Sequence, residues 1–234
     1  MAKFGPPKPV VVISTHLDDA VLSCAMFLSA NPGAVVVTVL AGAPEVFHDG
    51  YNSMRTGERY APDAVKKRRD EDTSALTFLS TENVWLGFHD KDYLTSPRAP
   101  EDQQRIRKSI KEVLDVRRPG SVLAPLGLIH SDHLMVSNVC LELVNLSECE
   151  WYLYMDLPYG HARSRPVPDR VETIAANMNL EALEPFSGDA RIKRQAMKRY
   201  ESQYSLLRRS HRGGFRKSMR GPEQYWKITG PNNR

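Results

Sequence analysis

Apolar residues in this chain fall into two alternating kinds of run. Short, continuous stretches read as buried strands: Val10–Ile13, Val35–Leu40, Asn83–Leu86, Ser121–Pro125 and Trp151–Met155. Between them the apolar positions recur at helical spacing. The segments are Ala20–Ser29, about Asp63–Leu79, about Glu101–Val116 and the run carrying Leu134, Val136, Val139, Leu141 and Val144. Pro119-Gly120 ends the third of these, as a helix-stop signal should. A last long helix is expected over about Ala190–Leu207, with Ile192, Ala196, Tyr200, Tyr204 and Leu207 along one stripe.

Strands alternating with helices predict a single α/β Rossmann-like domain across residues 1–234, with a mostly parallel sheet and helices on both faces. In the common doubly wound order 3-2-1-4-5, strands one and four are neighbours at the point where winding reverses. Ligands bind there, just beyond the carboxyl ends of the strands. No repeat or low-complexity linker calls for a second domain.

Composition narrows the class. At 234 residues, 41% hydrophobic and 26% charged, the chain can bury a substantial core. No apolar run approaches the ~20 residues of a membrane span. The N-terminal residues pass straight into a strand without a secretory core, so a cytoplasmic location is expected. Three cysteines without CxxC spacing exclude a disulfide framework and a thiolate metal site from the expectation. Net charge is +4, yet residues 191–220 hold eleven Lys/Arg against Glu201 alone, so the remainder sums to −6. The plain reading of residues 190–234 is a basic C-terminal helix and tail, with attraction of an anionic ligand as the functional alternative. Nucleic acid is not the expected partner, since no reader motif is present. Self-association is left open.

The chemistry lies in two clusters, each directly after a predicted strand: His16-Leu17-Asp18-Asp19 after the first, and His130-Ser131-Asp132-His133 after the fourth. The topology places both at the ligand crevice. Imidazole and carboxylate together are a zinc-type donor set. His16 and Asp19, three apart at a strand-to-helix turn, can point the same way, and His133 is placed as a third ligand. Asp18 is then left beside the metal as a general base for water. His130 is placed to act as a charged acid, held in one tautomer by Asp132. His161, on the Pro158-Tyr159-Gly160 loop after the fifth strand, is placed to approach the substrate, while His48, His89 and His211 read as surface or loop residues.

These motifs, with Ala20-Val21-Leu22-Ser23 after the first, resemble those of the PIG-L/LmbE family of zinc-dependent N-acetyl-sugar deacetylases. Val35–Pro44, Arg68–Leu79, Leu86-Gly87-Phe88-His89-Asp90, Tyr200–Tyr204 and Pro222-Glu223 extend the resemblance in order along the chain. It implies one zinc ion per chain, or another divalent ion, on His16, Asp19 and His133, with Asp18 as base and His130 as acid. It also implies contacts from Arg68 and Asp90 to substrate hydroxyls or a phosphate. Thr15, Leu17 and Ala20 depart from the family's usual Ala, Pro and Glu, which points to a distinct substrate subgroup.

The expectation is therefore a hydrolase of bacterial biosynthetic type that removes an N-acetyl or N-acyl group from an amino sugar or its conjugate. The loop Glu45–Tyr60 and the basic segment would wall that substrate. Two alternatives are a metal-dependent phosphoesterase acting on an anionic small molecule, and a non-catalytic sugar-binding protein. The phosphoesterase usually needs a second metal and more ligands than the two clusters offer.

Overall fold

The computed structural model describes residues 5–44, 61–94, 96–162 and 164–232. Five strands form the expected parallel sheet: β1 (Val10–Ser14), β2 (Val35–Thr38), β3 (Glu82–Trp85), β4 (Ser121–Pro125) and β5 (Glu150–Tyr154). Their order is 3-2-1-4-5, as the alternation predicts, and two further strands extend the sheet beyond β5. These are β6 (Met178–Ala182) and β7 (Tyr225–Pro231), and β7 pairs antiparallel with both β5 and β6.

Alternation along β1 sorts the core into two layers, because successive strand side chains point to opposite faces. Val10 and Val12 join the layer beneath α1 (Asp19–Ala30) and α2 (Ala61–Phe78), with Phe27, Leu28 and Leu76. Val11 and Ile13 join the other layer, against α3 (Pro100–Arg117) and α4 (Ser131–Leu143), with Ile106, Ile110, Val136 and Val139. The sheet is thus covered on both faces, as continuous apolar strands require. No described helix is long and apolar enough to cross a membrane.

The C-terminal third departs from the expectation. A helix α5 (Pro166–Ala175) precedes β6, and the single helix expected over Ala190–Leu207 is two, α6 (Ala190–Met197) and α7 (Glu201–Ser210), followed by α8 (Arg212–Ser218). The break has a tertiary cause. Glu71 of α2 accepts hydrogen bonds from Ser202 N at 2.9 Å and Ser202 Oγ at 2.7 Å, so a carboxylate from another helix caps the start of α7. Tyr200 is anchored alongside by its hydroxyl, which donates to Asp72 Oδ1 at 2.7 Å. The loop Glu45–Tyr60, expected to wall the site, lies outside the described residues.

Candidate metal centre and catalytic pocket

The two clusters meet where β1 and β4 pair side by side. Ser14, the last residue of β1, organises the first turn: its hydroxyl donates to His16 O at 2.7 Å and accepts from Ala20 N at 3.0 Å. His16 N donates to Asp19 Oδ2 at 2.9 Å, which fixes that carboxylate at the head of α1. Asp18 between them occupies the helix N-cap with φ 135° and makes no capping hydrogen bond. A non-glycine residue in that region is strained, and such strain is stored where a side chain must be held in place. The carboxylate is therefore directed into the pocket rather than used to end the helix.

Three ligand atoms converge. Asp19 Oδ2 lies 3.0 Å from His16 Nδ1 and 3.1 Å from His133 Nε2. Each histidine is held from behind by a carboxylate. His133 Nδ1 lies 2.6 Å from Asp156 Oδ1, and His16 Nε2 lies 3.3 Å from Asp132 Oδ2 and 3.6 Å from Asp90 Oδ2. Carboxylates in that position fix the tautomer and orientation of a metal-binding imidazole.

Electrostatics at this point favour positive charge. Burial alone would lower the pKa of His133, yet Asp19 and Asp156 overcome it and raise it to about 9. His16 is likewise raised despite burial, by Asp90, Asp132 and Asp19. Burial works against the charged form of Asp19, but His133 and His16 hold it well below the usual carboxylate range. A divalent ion meets the same demand, and two imidazoles with one carboxylate are a donor set that catalytic zinc accepts. The residues present fit such an ion.

Asp18 differs from its neighbour. Burial, and then the charge on Asp19, raise it to about 7, with the Arg68 guanidinium acting in the opposite direction. Arg68 Nη2 lies 3.9 Å from Asp18 Oδ1 and donates to Leu17 O at 3.4 Å, while its buried Nε has no hydrogen-bond partner among the described residues. Asp90 also faces the pocket, with its other oxygen accepting from Asp92 N at 3.0 Å.

The second cluster differs in detail from the expectation. The Asp132 carboxylate reaches His16, and it also accepts from Lys91 N at 3.0 Å and faces Arg98 Nη2 at 3.5 Å. Its link to His130 is through the backbone: Asp132 N donates to His130 Nδ1 at 3.3 Å, because His130 is the N-cap of α4. That bond places the ring proton on Nε2. Burial, followed by the charges of His16 and His133, pushes His130 down to about 4. These surroundings favour a neutral donor where a charged acid is expected.

The pocket is a cavity of about 140 Å³ lined by His16, Asp18, Asp19, Arg68, Asp90 and His130, and closed by Tyr159, Gln203, Leu206, Leu207 and His211. His161 lines a separate groove behind it. On the tight turn Tyr159–His161, residues two apart point in different directions, so Tyr159 takes the place expected of His161. His211, read from sequence as a loop residue, reaches the pocket because it joins α7 to α8. Asp156 is also absent from the sequence reading. Its signal is present: an acid just past the carboxyl end of β5, beside β4.

A family model described as PIG-L, GlcNAc-PI de-N-acetylase, matches residues 11–144. The zinc-inhibited form of the teicoplanin deacetylase Orf2 is similar over 96% of this chain and 99% of its own, with TM-score 0.80 and 25% identity. The A40926 pseudoaglycone deacetylase Dbv21 is similar over 96% and 98%, with TM-score 0.75 and 25% identity. N,N'-diacetylchitobiose deacetylase from Pyrococcus horikoshii shares the fold at TM-score 0.57 and 18% identity, over 94% and 83%. No curated protein matches by sequence. The paired motifs, the ligand geometry and the match across more than half its length show that the chain belongs to the PIG-L family.

Proposed function

We propose that the protein is a zinc-dependent N-deacetylase that removes an acetyl or related acyl group from an amino sugar or its conjugate. The observation that carries this is the convergence of His16 Nδ1, Asp19 Oδ2 and His133 Nε2, with the Asp18 carboxylate beside them and outside the ligand set. A second trio, His16, His130 and Asp132, is also compact, but it shares His16, and Lys91 N and Arg98 already engage Asp132. The proposed stoichiometry is therefore one ion per chain.

His16, Asp19 and His133 would hold the zinc ion, which when bound would supply Lewis-acid polarisation of the amide carbonyl and acidify water. Asp18, raised to about 7, takes the proton of the attacking water near neutral pH. His130, which lines the pocket and keeps its Nε2–H free of the Asp132 N bond, would donate to the oxygen on which negative charge develops. As the C–N bond breaks, the departing amine needs one proton, and Asp18 holds the one it accepted. Arg68, whose Nε is unpartnered among the described residues, and Asp90 are placed to bind sugar hydroxyls or a phosphate.

The cavity of about 140 Å³ has room for the acyl amide, and a conjugated substrate would extend beyond it. Similarity to teicoplanin and A40926 pseudoaglycone deacetylases makes conjugated amino sugars the first class to test. Incubation with a panel of free and conjugated N-acetylated amino sugars should give new primary amine, and a chelator should abolish it. No amine from any member, with zinc restored, would oppose the proposal.

A further inference from the structure

The basic segment has a use that the catalytic pocket does not absorb. Its charge is gathered around a second cavity of about 410 Å³ between α6, α7 and α8. Five arginines line it, Arg194, Arg208, Arg212, Arg216 and Arg220, above the buried ring of Phe215, and no carboxylate does. Several surface arginines elsewhere are paired with carboxylates: Arg105 with Asp102, Arg107 with Glu142, Arg117 with Glu82 and Arg191 with Asp189. In the basin, Arg194 donates only to Met219 O, at 3.4 Å. Among the described residues the side chains of Arg208, Arg212, Arg216 and Arg220 have no ion pair or hydrogen bond.

Five guanidinium groups around one cavity repel each other, four of them at exposed positions, and a bound anion relieves that repulsion beyond what solvent screening does. Planar guanidinium forks match tetrahedral phosphate oxygens with paired, charge-assisted hydrogen bonds. The number of positive charges exceeds what one carboxylate needs. We propose that this basin binds a small polyphosphate group, on a free ligand or at the end of a larger molecule. The site is distinct from the catalytic pocket, which uses Gln203, Leu206 and Leu207 of α7 where the basin uses Arg208. It does not depend on the deacetylase reading.

Sodium tripolyphosphate is the probe, titrated against the intact protein by calorimetry and thermal melting, with sodium chloride at matched ionic strength as reference. Saturable binding and a raised Tm beyond the chloride effect are expected. Arg208→Gln/Arg212→Gln should weaken binding about tenfold or more, since it removes two charge-assisted contacts. If that double variant fails to fold, Arg220→Gln alone should show a smaller loss in the same direction. Asp19→Ala, which breaks the candidate metal site, should leave tripolyphosphate affinity unchanged. Equal effects of chloride and tripolyphosphate, or wild-type affinity in the arginine variants, would overturn the proposal. So would loss of binding in Asp19→Ala, which would place the anion at the metal site. Tighter capture of phosphatidylglycerol vesicles or duplex DNA through the same arginines would overturn the assignment to a small ligand.

Discussion

His133 Nδ1 lies 2.6 Å from Asp156 Oδ1, and both side chains are buried. Asp156 also accepts from Gly127 N at 2.8 Å, so it is tied to the turn after β4 as well as to the ring. The pair leaves His133 Nε2 as the atom free to bind a metal. Asp156→Asn keeps the shape but removes the charge that orients the ring. Metal affinity should fall roughly 10–100-fold while the fold is retained. A competition titration with a chromogenic chelator measures this, and unchanged affinity would detach Asp156 from the metal centre.

The neighbouring aspartates of the first cluster should separate cleanly. Asp19→Ala removes a ligand and is expected to lose both metal and activity. Asp18→Ala should keep its metal while kcat falls by roughly 10²–10⁴, the usual contribution of a general base. Elemental analysis beside kinetics checks both. Metal lost from Asp18→Ala and kept by Asp19→Ala would reverse the two roles.

Tyr159 and His161 offer a further contrast on one short turn. The Tyr159 ring stands 5.3 Å from that of His133 and closes the pocket, whereas His161 faces the groove behind. Tyr159→Ala should lower kcat/KM, and His161→Ala should remain near wild type. The opposite order would return His161 to the place the sequence suggests.

What was legible in the sequence was what periodicity and topology determine. The short continuous apolar runs at Val10, Val35 and Ser121, alternating with helical spacing, read as central parallel strands, and the doubly wound order then placed His16 and His133 together. The C-terminal region was harder because its elements depend on distant partners. Strand β6 is mostly exposed and carries no apolar run, so it exists through pairing with β7. The break between α6 and α7 depends on Glu71, more than a hundred residues away. Within the site, ligands adjacent to predicted strands could be read directly. Asp132 could be placed near the centre, but sequence could not tell that it faces His16 rather than His130.

A buried ion pair ties this C-terminal region to the core. Lys193 Nζ lies 3.1 Å from Glu223 Oε1 with both side chains fully buried, and Glu223 also accepts from Tyr225 Oη at 2.9 Å. Lys193→Met removes the counter-charge of a buried carboxylate that would then keep Met26 N, Phe27 N and Tyr225 Oη as donors, and should cost roughly 3–5 kcal/mol. For a chain of this size, Tm should fall by about 6–20 °C. Lys193→Met/Glu223→Gln should recover part of the loss in thermal melts. A single variant as stable as wild type would show that the pair is solvated in solution.

Asp18 and a metal on His16, Asp19 and His133 are together proposed to cleave an acyl amide. The most direct measurement follows acetate and primary amine together, released from a conjugated N-acetyl amino sugar by zinc-loaded wild type and by zinc-loaded Asp18→Ala. The account predicts acetate and amine in equal amounts from wild type, near-complete loss in Asp18→Ala at equal zinc content, and loss in wild type on chelation. Equal turnover by the two proteins, or amine release that survives complete removal of metal, would contradict it.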